Sequence, residues 1–100
     1  MRIDDIFWHD SLILKVTINP ERDLVEMRLL LPEEARQKTY AEQTIVFQNA
    51  YGYKEFEGPF QGCPTILSVA VIEQVGQWSK LKIETNAGYR ELFCCDVFQK

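Results

Sequence analysis

The chain has a single histidine, an odd number of cysteines and no apolar run that approaches the roughly 20 residues needed to cross a bilayer. Each shortage removes a class of function. Any Ser-His-Asp or Cys-His mechanism would have to run through His9, because no second imidazole exists. Three cysteines, Cys63, Cys94 and Cys95, cannot close a complete intrachain disulfide framework, and no Cys-x-x-Cys or paired-histidine spacing gathers them around a metal. We read them as thiols in a reducing compartment, with Cys95 as the buried one because it shares strand parity with Phe93 and Val97. Gly52, Gly58 and Gly62 follow neither the dinucleotide nor the phosphate-loop spacing, so no cofactor is expected. The opening Met1-Arg2-Ile3-Asp4-Asp5 lacks the regions of a signal peptide, and the expectation is a cytoplasmic protein without membrane contact. Eleven Lys and Arg against fifteen Asp and Glu leave a net charge of -4, with no basic stripe to follow phosphates, which argues against nucleic acid as a partner.

What is present is the composition of an ordinary folded domain, 46% hydrophobic and 26% charged over 100 residues, and one domain over residues 1–100 is expected. Leu12, Leu14, Val16 and Ile18 alternate with Ile13, Lys15 and Thr17; Val25, Met27, Leu29 and Leu31 alternate again beyond the turn Asn19-Pro20-Glu21-Arg22-Asp23. These segments form a hairpin. Pro32 followed by Glu33 and Glu34 suits a first helical turn, yet Ala35 is the only apolar residue before Tyr40, so a short helix near residues 33–42 competes with an extended loop. Thr44-Ile45-Val46-Phe47-Gln48 reads as a strand, Asn49-Ala50 as a turn, and the stretch around Tyr51 to Glu57 as irregular or edge structure. The run from Thr65 to Ile72 is the most apolar strand, and that composition predicts a central place in the sheet.

The last hairpin runs from Trp78 to Cys95 around Asn86-Ala87-Gly88. A three-residue loop closed by Gly88 sets Thr85 opposite Tyr89, Leu81 opposite Phe93 and Glu84 opposite Arg90; a two-residue loop at Ala87-Gly88 would set Glu84 against Glu91, a like-charge pair. We favour the first register. The tally is six or seven strands, and the fold class is mainly β: an antiparallel small sandwich or partly open barrel, with a curved sheet closed by a short helix as the other arrangement.

Chemistry is sparse. His9 beside Asp10 and Ser11 is suggestive by residue type, but neighbours along an extended chain do not make a triad. Trp8 anchors that segment. The dense aromatic group Tyr40, Phe47, Tyr51, Tyr53, Phe56 and Phe60, interleaved with Lys54, Glu55 and Glu57, is what an interface displays if several rings face outward. The binding candidates are therefore Trp8, His9, Asp10, Tyr51, Tyr53 and Phe56, with no catalytic or metal-ligating residue assigned.

The opening Phe7-Trp8-His9-Asp10-Ser11, leading into the strands from Leu12 and from Val25, resembles the start of small bacterial β-rich proteins of unknown function, some of which are similar to immunity proteins of contact-dependent and polymorphic toxin systems. That resemblance implies a protein-binding module, an inhibitor that holds a toxin, and the acidic net charge suits a basic partner. Two other readings stay open: a small-molecule binding or hydrolytic domain using His9, and a structural homodimer whose edge strands pair.

Overall fold

The computed structural model describes residues 3, 6, 8–34 and 39–100. Eight strands follow one another: β1 (Leu12–Asn19), β2 (Leu24–Glu34), β3 (Thr39–Gln48), β4 (Tyr51–Glu57), β5 (Ile66–Val75), β6 (Trp78–Thr85), β7 (Gly88–Cys94) and β8 (Asp96–Gln99). They form two antiparallel four-stranded sheets, ordered β1-β2-β3-β8 and β4-β7-β6-β5. The sheets share one corner. β3 runs into β4 through Asn49-Ala50 while its neighbour β7 runs into β8 through Cys95, and the Cys95 amide donates to the Gln48 carbonyl across the bend. At the opposite seam closure is partial: Leu12 bridges Thr65, and the Ile13 amide donates to Pro64. The arrangement is a sandwich folded from one bent ribbon, open along most of that seam.

Each inner face follows from its alternation. Val25, Met27 and Leu29 of β2 and Ile45 and Phe47 of β3 meet Leu81, Ile83 and Leu92 of the other sheet in a single core, closed at one end by Ile6 and by Trp8, which stacks on Phe47 at 6.3 Å. A bulge between Ile13 and Lys15 keeps Ile13 and then Val16 on the same inner face, opposite Leu29 and Met27.

Four expectations are corrected. Residues 32–34 and 39–42 are strand, with Pro32 paired to Tyr40 beyond the last residue of β2 that β1 covers and beside a bulge, where a missing amide is tolerated; residues 35–38 of the expected helix lie outside the described residues. The most apolar strand, β5, stands at a sheet edge and not at the centre. The last hairpin takes neither register weighed but one shifted by a residue from the favoured one, away from the other, with Thr85 opposite Gly88, Leu81 opposite Leu92 and Lys82 opposite Glu91. Consequently Arg90, Leu92 and Cys94 point inward and Phe93 outward, so the buried thiol is Cys94, raised to about 12 first by burial and then by Cys95 and Asp96, while Cys95 is half-buried at the bend.

Gly88 explains that register. It belongs to β7 with φ of 146°, and a Cβ there would stand 2.2 Å from the Phe56 carbonyl oxygen of β4. Glycine is needed for the close approach of two strands. Gly88→Ala is expected to cost ~2 kcal/mol or more in urea unfolding, whereas Gly58→Ala, with open space around its position, stays within about 0.5 kcal/mol.

Candidate functional site

The second sheet has an outer face that no other part of the described chain covers, and a bulge decides what it displays. Between Tyr51 and Lys54 the ladder slips by one residue at Gly52, whose φ is 63°. Tyr51 thereby joins Lys54 and Phe56 on the outer face, opposite Phe93, Glu91 and Tyr89, while Tyr53, Glu55 and Glu57 turn inward. Across β6, Lys80 and Lys82 stand opposite Phe93 and Glu91, and Trp78 pairs with Val75 at the end of the β5-β6 hairpin.

The result is an apolar depression lined by Tyr51, Val75, Trp78 and Phe93. Its walls are held from the side. The Trp78 indole donates to the Asn49 carbonyl at 3.1 Å, the Tyr51 hydroxyl donates to Asp23 at 3.1 Å, and the two rings meet at 6.2 Å with a 58° tilt. The hydrogen bond to Asp23 and its charge raise the Tyr51 pKa, which keeps the phenol protonated. Beyond the depression, Lys80 lies 5.5 Å above the Phe93 ring and Lys82 4.7 Å above Tyr89, itself stacked on Phe56 at 4.8 Å. Lys54, Lys80 and Lys82 are balanced by Glu73, Glu84 and Glu91, with Lys80–Glu91 at 3.4 Å and Lys82–Glu84 at 3.5 Å. Ion pairs of this kind contribute little to stability.

The inner end of the same sheet is a polar cluster of a different character. Arg90, with only 7% of its side chain exposed, donates through Nε and Nη2 to both oxygens of Glu57 at 2.9 and 2.8 Å and through Nη1 to the Tyr53 hydroxyl at 2.9 Å. Tyr53 passes its own proton toward Glu55 at 2.8 Å, and Thr85 donates to Glu57. Burial by itself raises the Glu57 carboxyl, but the hydrogen bonds from Arg90 and Thr85 and the guanidinium charge outweigh it and hold the group below the usual range. Burial, then Glu55, raises Tyr53. Each guanidinium nitrogen of Arg90 donates to a residue of β4, so this is a structural lock between β4 and β7.

The six candidate residues are scattered by the fold. Trp8 is buried, its indole donating to the Ile3 carbonyl. His9 and Asp10 sit together on an exposed turn, 3.5 Å apart, and His9 Nδ1 donates to the Leu67 carbonyl. Neither lines the apolar depression of Tyr51, Val75, Trp78 and Phe93. Tyr53 belongs to the Arg90 lock. Tyr51 and Phe56 alone reach the outer face, together with Val75, Trp78, Lys80, Lys82, Tyr89 and Phe93, which sequence reasoning missed. The signal for these was the parity of the last hairpin, where Trp78, Lys80 and Lys82 share one face. No group of three metal-ligating side chains occurs among the described residues, and no described helix is long and apolar enough to cross a membrane.

No family model and no curated protein matches the sequence. Among solved structures the fold is similar to an uncharacterized protein from Neisseria gonorrhoeae, with a TM-score of 0.55 at 8% identity over 94% of this chain and 93% of that one. At that identity the likeness speaks for the fold alone.

The Arg90 lock makes a pH prediction. Because folding lowers the Glu57 pKa, its stabilisation is complete above the ordinary glutamate value of 4.5 and drains as pH falls through the lower folded value. Thermal unfolding from pH 6 to pH 3 is expected to show a drop in Tm that is shallower in Glu57→Gln, and Arg90→Met is expected to lose roughly 3 kcal/mol near neutral pH.

Proposed function

We propose that this chain acts by binding another protein through the outer face of the β4-β7-β6-β5 sheet, as an inhibitor of the immunity type. The observation that carries the reading is the depression of Tyr51, Val75, Trp78 and Phe93: four large side chains gathered on an uncovered sheet face, two of them tethered by hydrogen bonds to Asp23 and Asn49. Rigid aromatic anchors of this kind dominate interface energetics because they lose little conformational freedom on docking. The surrounding lysines and glutamates form a charged rim that orients the partner.

The choice of a toxin as partner rests on the Trp8-His9-Asp10-Ser11 opening and on the acidic net charge, which accelerates encounter with a basic protein. These act at different ranges. The contact face is charge-balanced, so steering comes from the whole molecule while affinity comes from the rings.

The test is co-purification from the native cells of tagged wild type, Val75→Glu and Tyr40→Glu, the last an equally exposed aromatic on the other sheet. A stoichiometric protein that is retained by wild type and Tyr40→Glu, and weakened about tenfold or more by Val75→Glu at unchanged Tm, supports the reading. If that protein also arrests growth when expressed without this chain, it is a toxin; equal retention by all three forms would remove the outer face from the interaction.

A further inference from the structure

Strand β5 is a sheet edge of unusual character. Ten residues long, it carries one charge, Glu73, and leaves Val71, Ile72 and Val75 about half exposed. Edges of this kind invite pairing, and β5 is the longest of them: β4 has seven residues and bears Lys54, Glu55 and Glu57, β8 has four residues, and β1 has eight with Lys15 near its middle, while β5 is bulged, as β1 and β4 are, but carries a longer apolar run. Only the start of the β5 edge is occupied. Ile66 exchanges both backbone hydrogen bonds with Asp10 and Ser11, and the Leu67 carbonyl takes the His9 ring. From Ser68 to Val75 the side away from β6 has no strand among the described residues.

We propose that this edge pairs antiparallel with the same edge of a second copy of this chain, about a two-fold axis between Val71 and Ile72. The register follows from which face each residue occupies. The ladder with β6 puts Ser68, Ala70, Glu73 and Val75 on the outer face, opposite Glu84, Lys82, Lys80 and Trp78, and puts Val69 and Gln74 on the inner face, opposite Ile83 and Ser79. The bulge between Val71 and Glu73 is what reverses the parity. With the axis at the centre of residues 68–75, Ala70 meets Glu73 of the second copy, Ser68 meets Val75 and Val69 meets Gln74, and every one of these pairs shares a face. A slip of one residue in either direction sets inner side chains against outer ones.

Charge fits the same register. Glu73 never meets its own copy; it lies across Ala70, the smallest side chain of the strand, with Lys82 on the next strand beyond. Backbones two strands apart are about 10 Å from each other, within the joint reach of a glutamate and a lysine. Each Glu73 is thus placed between Lys80 of its own chain and Lys82 of the second copy, while Val71 and Ile72 from both chains cover one another at the axis.

Light scattering across a wide concentration range, coupled to size exclusion, reads the mass directly; twice the 11.7 kDa of the chain is expected, and a concentration-independent monomer would overturn the proposal. Ile72→Lys, at a position already exposed, should weaken the dimer about tenfold or more while leaving the Tm of the dilute, monomeric protein unchanged, and a dimer indifferent to it forms through another surface. For the register, the double variant Ala70→Cys with Glu73→Cys should form intermolecular disulfides on mild oxidation while neither single variant does so above the background of wild type. Cross-linking by the Ala70→Cys variant alone would refute this pairing.

Discussion

A sheet this wide can bury one of its faces only by folding over on itself, and the bend at Asn49-Ala50 and Cys95 is where this chain does so. Two neighbouring strands turn together, tied by the hydrogen bond from Cys95 to Gln48, so the ladder passes from one sheet to the other with its pairing order intact. Asn49 takes a φ of 50°, a conformation that asparagine tolerates better than most residues. From this corner the rest follows. The inner faces of β2, β3, β6 and β7 are brought into one core, Trp8 seals an end of it, and the outer face of β4-β7-β6-β5 is left uncovered by the rest of the described chain.

The corner also explains why a charged residue is found inside. At the end of the sandwich away from Trp78, β1 and the segment at 62–64 cover a cleft that contains Glu55 and Arg90. A buried guanidinium is costly unless its donors are used, and Arg90 uses them on Glu57, Tyr53 and Glu55. The pairing locks β4 onto β7 beside the point where Gly88 lets the two strands approach.

How much of this was legible in the sequence depended on whether the deciding energy was local. Alternation at residues 12–18, 25–31 and 44–48 is a local signal, and the strands stand there. The last hairpin shows the opposite case. Its loop lengths differ by small energies, whereas the contact that selects among them, Gly88 against Phe56 of β4, is 32 positions distant along the chain. One slip of register then moved every side chain of β7 to the other face, which is why Arg90 and Cys94 were expected outside and Phe93 inside. The same holds for the candidate site. Tyr51 and Tyr53 have equal parity in the sequence, and the Gly52 bulge, which sends them to opposite faces, exists only through pairing with β7.

The misplacement of β5 is the most instructive of these, because composition reports that a strand is to be buried without saying by what. A continuous apolar run is the mark of a strand whose two faces are both covered. Among the described residues β5 has a strand neighbour on one side, and it leaves Val71, Ile72 and Val75 about half exposed. Pairing with a second copy reconciles the composition with the position, and it constrains the binding face as well. An edge-to-edge pair about this axis keeps both outer faces on one side of a continuous sheet, but the antiparallel arrangement sends the two β5-β6 hairpin ends in opposite directions. The two aromatic depressions, each anchored on Val75 and Trp78, then stand about 24 Å apart along the strand direction. Two such sites are too far apart to grip one small epitope together, so in the proposed dimer each copy would hold its own partner molecule, on two equivalent faces on the same side.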